Sequence, residues 1–177
     1  MERKIFITSN MQLGRPSAIG KWKRPFSSVD QMTKQLIQNW NEVVGPNDIV
    51  YHLGNFAWDP KTAYDSLLAL KGKTIYFILA ENDECLIDLK SKNNLQNRVK
   101  ICSDLHAQQE INSILSYWPL QEWQNKNKGY YNIVGYPNRK YKTNPKNKRI
   151  NCSVDQCNFK PQNIASIIGL IGEIEKS

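Results

Sequence analysis

Residues 26–56 set the architecture of the chain, and they read FSSVDQMTKQLIQNWNEVVGPNDIVYHLGNF. Ser28 and Gln31 form a capping-box pair ahead of apolar residues that recur at the 3.6-residue period of a helix. A Gly-Pro pair ends that helix, and residues 48–52 then predict a buried strand. A helix that leads directly into a buried strand is typical of a layered α/β domain.

The flanking residues predict further strands and helices. Residues 4–9 predict a buried first strand, and residues 10–26, which are rich in glycine and proline, predict a loop. Asp59 and Pro60 predict the start of a helix that runs to residue 70. The later predicted elements are strands at 73–79, 99–102, 112–118, 130–134 and 149–154 and a helix at 163–171. This order predicts one domain, residues 1–177, of the α/β (α+β) class, with either one mixed sheet or two sheets packed face to face.

The composition excludes several classes of protein. The chain has 177 residues, of which 40% are hydrophobic and 23% are charged, as in ordinary globular domains. Its longest apolar runs, at 75–80 and 167–171, are too short to span a bilayer, and no signal peptide is expected. Because the cysteines form no CxxC pair, we expect reduced thiols in a cytoplasmic protein without membrane partners. The four cysteines are Cys85, Cys102, Cys152 and Cys157.

The charge of the chain is positive and unevenly distributed. Lys and Arg number 24 against 16 Asp and Glu, which gives a net charge of +8. No acidic residue lies between Glu122 and Asp155, whereas eight basic residues do. Such a segment attracts polyanions, but it is equally typical of a solvated loop that aids solubility.

Five short patterns follow predicted strands. They are TSNMQ at 8–12, YHLGNF at 51–56, AEND at 80–83, SYWPL at 116–120 and GYPN at 135–138. In order and spacing they resemble the five motifs of the calcineurin-like metallophosphoesterases, which read roughly SDxH, GD, GNHD, HxPL and GHxH. Residues 26–56 and the NCSVD segment at 151–155 resemble the flanks of small bacterial and phage members. The resemblance covers nearly the whole chain and implies two mixed β-sheets packed face to face and flanked by helices.

The resemblance also implies a site that has lost its metals. Members of the family hold two divalent ions, such as Mn, Fe, Zn or Ni, that clamp a phosphate and activate a water. Here the ligand positions of all five motifs carry other residue types, and amides and phenols are poor ligands for such ions. We therefore expect a pseudoenzyme without metal, cofactor or catalytic residue. The replaced positions are Asn10, Gln12, Asn55, Glu81, Asn82, Tyr117, Tyr136 and Asn138.

The histidines give the same indication independently of any family. The chain has two, His52 and His106, and neither has a partner at metal-ligand spacing, so a packed or solvated role is favoured for both. A single weak Mg²⁺ or Ca²⁺ ion at Glu81, Asp83 or Asp155 stays conceivable, because hard cations accept carboxylate oxygens. That site would be needed for the alternative of an active phosphoesterase with one metal.

The remaining pocket residues favour an acidic ligand. Amide donors, guanidinium groups and aromatic faces suit a nucleotide, another phosphorylated compound or a nucleic acid. The predicted anion contacts are Arg15, Trp22, Arg139 and Lys140, and Trp22 is predicted to be exposed between two lysines. A further alternative is a protein-interaction module that uses the basic loop at 139–149.

Overall fold

A computed structural model of the chain describes residues 3–102, 105–108, 111–137 and 141–174. Within these residues it contains nine strands and five α-helices. The strands are β1 Ile5–Thr8, β2 Ile49–His52, β3 Thr74–Ile78, β4 Val99–Cys102, β5 Leu105–Gln108, β6 Ser113–Ser116, β7 Tyr131–Val134, β8 Arg149–Asn151 and β9 Gln162–Asn163. The helices are α1 Ser17–Trp22, α2 Val29–Val43, α3 Pro60–Ala69, α4 Glu84–Ser91 and α5 Ile164–Ile174.

The strands form two mixed sheets. The first has the order β4-β3-β2-β1-β9, in which β1 to β4 are parallel and β9 is antiparallel. The second has the order β5-β6-β7-β8, in which β6 to β8 are parallel and β5 is antiparallel. The predicted α/β class with two mixed sheets is confirmed.

Two apolar clusters hold the layers together, and β1 contributes to both. Ile5 and Ile7 lie in the cluster between the sheets, where Leu115 and Ile133 come from the second sheet. Phe6 belongs to the other cluster, which buries one face of helices α1 to α4 against the first sheet. Alternate strand residues face opposite sides, and Ile5, Phe6 and Ile7 are apolar in succession because both faces of β1 are covered.

Helix caps predicted from the sequence are present, with one change of partner. The Ser28 hydroxyl accepts from the Gln31 amide at 3.2 Å, and the Asp59 carboxylate accepts from the Thr62 amide at 2.9 Å. The Gln31 side chain does not complete the capping box at Ser28. It accepts instead from the backbone amide and the hydroxyl of Ser27, at 2.7 and 2.8 Å.

Two predicted segments differ from the structure. Residues 10–26 are not all loop, because Ser17–Trp22 forms a helix with Ala18 buried in the helix-side cluster. The strand predicted at 149–154 ends at Asn151, and a 3-10 turn at Val154–Gln156 follows it. In the described part of the chain, no helix combines the length and the apolarity that crossing a bilayer requires.

Candidate functional site

The loops that carry the five motifs converge at one edge of the two sheets, here called the site edge. Ser9, directly after β1, bridges in parallel to Ser153, which follows β8. The Ser9 hydroxyl also donates to the carbonyl of Gly135, after β7, at 2.8 Å. A Cβ atom on Gly135 would lie 2.2 Å from the Leu53 carbonyl oxygen, so only glycine allows this approach. The two sheets therefore present their loop residues to one shared surface.

The first motif loop is a chain of hydrogen-bonded amides. Asn10 and Gln12 are buried and adopt left-handed backbone conformations, with φ of 58° and 55°. Gln12 Nε2 donates to Asn10 Oδ1 at 2.7 Å, and Arg15 Nη1 donates to Gln12 Oε1 at 2.8 Å. Asn10 Nδ2 in turn donates to Asp155 Oδ2 at 2.8 Å. The amide groups thus use one another and Asp155 as partners.

A buried ion pair closes this network. The side chains of Arg24 and Asp155 are 0% and 10% exposed, and Arg24 donates to both carboxylate oxygens, at 2.8 and 2.9 Å. The same guanidinium donates to the carbonyl oxygens of Met11 at 2.8 Å and Asn10 at 2.6 Å. The Ser153 hydroxyl gives Asp155 a further hydrogen bond at 3.2 Å. A buried ion pair without net charge therefore lies directly behind the first motif loop.

A second polar group lies around Asn55, which also has a left-handed φ of 58°. Asn55 Nδ2 donates to the Tyr117 hydroxyl at 2.6 Å, and Asn55 Oδ1 accepts from Asn82 Nδ2 at 3.1 Å. Burial raises the pKa of Tyr117, and Tyr136 and Glu81 raise it further. The phenol is therefore neutral at physiological pH and serves as a hydrogen-bonding group.

The Asp83 carboxylate forms its hydrogen bonds within the motif loops that it connects. It is 1% exposed and accepts from the backbone amides of Asn55, Phe56 and Ala80 at 2.7 to 2.8 Å. Burial raises the pKa of this carboxyl, and the three backbone hydrogen bonds oppose that shift. Asp83 therefore fixes the second and third motif loops and has no oxygen turned to a ligand.

The residues at the site edge do not fit the two divalent ions that the family resemblance implies. No group of three His, Cys, Asp or Glu able to hold an ion occurs among the described residues. The amides of Asn10 and Asn55 direct N–H donors to their neighbours, and an ion needs oxygen lone pairs instead. The nearest carboxylate, Asp155, is already bound through both oxygens by the Arg24 guanidinium. The hydrogen bonds that Asp83 and Asp155 already accept also disfavour a single ion at these two carboxylates, whereas a single ion at Glu81 stays a prediction.

A basic cleft of about 570 Å³ opens beside the buried ion pair. We call it the lysine cleft, and its lining is Lys21, Trp22, Lys23, Pro137, Lys142, Asp155 and Gln156. Trp22 is half-buried rather than exposed as predicted, because its indole packs against the helix-side cluster. The Lys21 ammonium lies 4.9 Å from the centre of that ring. The cleft thus combines cations with an aromatic face.

An aromatic row continues from the lysine cleft along the site edge. It consists of Trp118, Tyr136 and Tyr141, with ring centroids 4.7 Å apart in the first pair and 5.8 Å in the second. Trp118 is 47% exposed, and Tyr136 also packs edge-on against Tyr117 at 5.7 Å. Trp118 and Glu81 line a separate cleft of about 420 Å³. The row therefore offers ring surface to a ligand.

The structure brings most predicted site residues together. The hydrogen-bonded groups contain Asn10, Gln12, Arg15, Asn55, Asn82 and Tyr117. Tyr136 and Glu81 adjoin Tyr117, as described above. Asn138, Arg139 and Lys140 lie outside the described residues. Arg24, Lys142 and the partners of Asp83 were not predicted, since their roles depend on contacts between distant parts of the chain.

His52 is packed in the core. Its ring is fully buried against Phe56 and Phe77, with centroids 5.3 Å away in both cases. Neither ring nitrogen has a hydrogen-bond partner among the described residues, and burial lowers the pKa of His52 to about 3. It is therefore a neutral packing residue at physiological pH. The side chain of His106 lies outside the described part of the structure.

Comparison with known proteins gives relatives of matching length. No family model matches the chain. The uncharacterized protein MJ1445 of Methanocaldococcus jannaschii is 32% identical over 171 residues, which cover 96% of this chain and 92% of that protein. Among solved structures, the protein of unknown function AQ665 from Aquifex aeolicus matches with a TM-score of 0.70 at 18% identity, covering 96% of this chain and 100% of that one. The second likeness shows a shared fold.

Proposed function

Given that the chain belongs to the family of the uncharacterized protein MJ1445, we propose that it is a metal-free binding protein that holds an acidic, phosphate-bearing ligand in the lysine cleft. In this proposal the fold is that of the calcineurin-like metallophosphoesterases, and the protein is a pseudoenzyme. The fold is supported by five motif loops that meet at one edge of two mixed sheets.

The observation that carries the proposal is the charge of the lysine cleft. Lys21, Lys23 and Lys142 line it, and Asp155 is the one carboxylate among the described lining residues. That carboxylate is neutralised by Arg24, which donates to both of its oxygens. Three ammonium groups therefore face the cleft without an acidic partner in its lining. A phosphate supplies the missing negative charge and accepts hydrogen bonds from lysine ammonium groups.

The state of the buried carboxylates favours binding over hydrolysis. Asp155 accepts four hydrogen bonds and Asp83 accepts three, so neither has the free oxygen that a general base needs. His52 is enclosed in the core and neutral. An acid–base pair like that of a hydrolase is therefore not available from these three residues.

Binding of a fluorescent ATP analogue tests the proposal. We expect the dissociation constant to rise about tenfold between about 50 and 200 mM salt, because ammonium–phosphate contacts release counterions. Lys23→Ala and Lys142→Ala should each weaken binding about fivefold. Lys73→Ala is the matched control, because Lys73 is exposed and precedes β3 at the opposite edge of the sheet.

Two results would contradict this function. One is an affinity that neither salt nor the cleft variants change. The other is hydrolysis of a phosphoester that a chelator abolishes, which would support the single-metal phosphoesterase instead. The interaction module that uses residues 139–149 stays a separate prediction, tested by capture of a stable protein partner without affinity for phosphorylated compounds.

A further inference from the structure

We propose that the ligand is a single-stranded nucleic acid that runs from the lysine cleft along the aromatic row to a second basic cleft. This inference rests on the proposed function and names the class of its ligand. It requires a basic surface longer than one nucleotide, aromatic rings next to that surface, and an aromatic row that reaches from one basic cleft to the other. Each is present among the described residues.

The second basic cleft resembles the lysine cleft in having several lysines and one tryptophan in its lining. Its volume is about 360 Å³, and its lining includes Trp123, Lys126, Lys146, Lys148 and Arg149. The Lys126 ammonium lies 4.7 Å from the centre of the Trp123 ring, as Lys21 lies beside Trp22 in the lysine cleft. In the described structure, no Asp or Glu lines this cleft. One chain thus has two basic clefts, each with an indole at its wall.

The aromatic row joins the two clefts. Tyr141 has the guanidinium of Arg149, from the second cleft, 5.7 Å from its ring centre. The next residue, Lys142, lines the lysine cleft. Tyr136 precedes Pro137, which also lines that cleft, and its ring packs between Tyr141 and Trp118. Tyr141 thus has a cationic residue of each cleft beside it, Arg149 in space and Lys142 in sequence, and Tyr136 and Trp118 extend the ring surface from it.

Arg149, beside Tyr141, has unused donor capacity. Its Nη2 donates to the Leu120 carbonyl at 2.7 Å, but its Nε is buried without a hydrogen-bond partner among the described residues. A buried unpaired donor costs free energy, and a turn of the guanidinium towards the cleft would let an acceptor on a ligand remove that cost. A phosphate oxygen is such an acceptor.

The shape of the surface favours a single strand over a duplex or a free nucleotide. The bases of a duplex are stacked inside it and cannot lie on protein rings, whereas an unpaired strand offers each base to an aromatic face. A single nucleotide occupies one cleft and leaves the other cleft and the row unused. No acidic residue lies from 123 to 154. The acidic side chains that adjoin the two clefts, Asp155 and Glu122, are paired with Arg24 and Lys126.

Fluorescence anisotropy with labelled oligothymidylates tests this inference. A strand of about twelve nucleotides should bind at least tenfold tighter than one of about three, and tighter than a duplex of equal length. Trp118→Ala should weaken the long strand about tenfold. Lys146→Ala should weaken the long strand about threefold and leave the ATP analogue unaffected, because Lys146 lies outside the lysine cleft.

The controls separate this inference from the proposed function. Tyr64→Ala removes another exposed ring, on α3, and should leave both affinities unchanged. Melting curves establish that the variants fold, and Trp118 and Lys146 are both exposed. Equal affinity for short strand, long strand and duplex, with no effect of Trp118→Ala, would overturn the single-strand inference while binding of the ATP analogue still stood. Absence of binding by every probe would overturn both.

Discussion

The guanidinium of Arg24 joins parts of the site edge that are far apart in sequence. It binds Asp155, 131 residues away, and the carbonyl oxygens of Asn10 and Met11. Both charges of the pair are almost completely shielded from water. In such an environment the pair contributes less than its Coulomb attraction, but either charge left alone is strongly unfavourable.

Removing Arg24 should therefore destabilise the protein strongly. Arg24→Met leaves the Asp155 carboxylate buried without its cation, and we expect the free energy of unfolding to fall by about 3–5 kcal/mol in urea titrations. Arg24→Lys keeps the charge but loses the planar guanidinium, so it should lower the free energy of unfolding less than Arg24→Met does. Lys23→Met changes an exposed cation next in sequence and serves as the control. A loss below about 1 kcal/mol for Arg24→Met would contradict the importance of the pair.

Burial of His52 predicts how the free energy of unfolding depends on pH. Its pKa is about 3 in the folded chain and 6.5 when unperturbed, so between these values the unfolded chain binds a proton that the folded chain excludes. The free energy of unfolding should thus fall by about 2 kcal/mol from pH 7 to pH 5 through this group. His52→Leu should lose that part of the pH dependence. Asp83 titrates in both proteins, so its contribution cancels in the comparison.

The outcome that would exclude this account of His52 is an equal pH slope for both proteins.

At the residue scale, the motifs predicted the positions of Asn10, Gln12 and Asn55 at the site edge. Arg24 was not predicted, because an ion pair across 131 residues leaves no local pattern. Local sequence thus places the loops but not the contacts between them.

Among the elements, the approach of β7 to β2 depends on Gly135. An added methyl would meet the Leu53 carbonyl oxygen at 2.2 Å and the Ser9 Cβ at 2.8 Å, and backbone cannot move aside as a side chain does. Gly135→Ala should therefore separate the two sheets at the site edge and lower the free energy of unfolding by about 3 kcal/mol or more.

Gly169→Ala provides the matched comparison for that prediction. Gly169 lies inside α5 and has no atom within 4 Å of an added Cβ, so alanine should stabilise the helix by up to about 1 kcal/mol. Opposite signs for the two glycine variants in thermal unfolding would support the close approach of the sheets. Equal effects would contradict it.

The elements that were predicted and those that were missed differ in how local their signals are. Helices α2 and α3 have side-chain caps and clear apolar periodicity, and both begin where the sequence indicated. Helix α1 has no side-chain cap and contains a glycine, so its formation depends on burying Ala18. Helix α4 was not predicted, although Cys85, Leu86 and Leu89 follow helical spacing, and the Asp83 side chain before it binds backbone in other loops rather than capping this helix.

At the scale of the whole molecule, the described residues contain no group of three metal-ligating side chains, and this predicts the metal content of the protein. After growth in medium supplemented with Mn, Ni, Zn and Fe, the purified protein should hold less than about a tenth of an equivalent of each metal per chain. Its melting temperature should also not change on addition of Mn²⁺ or of a chelator, because no ion contributes to folding. Elemental analysis with one or two tightly held equivalents would refute the metal-free proposal.

The position of Arg24 also has a consequence for how this protein can change over generations. A carboxylate introduced at Asn10 would replace the side-chain amide that donates to Asp155, so two buried carboxylates would share one guanidinium and repel each other. Loss of Arg24 alone would strand Asp155 and weaken the fold. Each of these single mutations is therefore expected to lower the stability of the fold, whichever one comes first. The buried pair of Arg24 and Asp155 therefore limits the order in which charged residues at this loop can be exchanged.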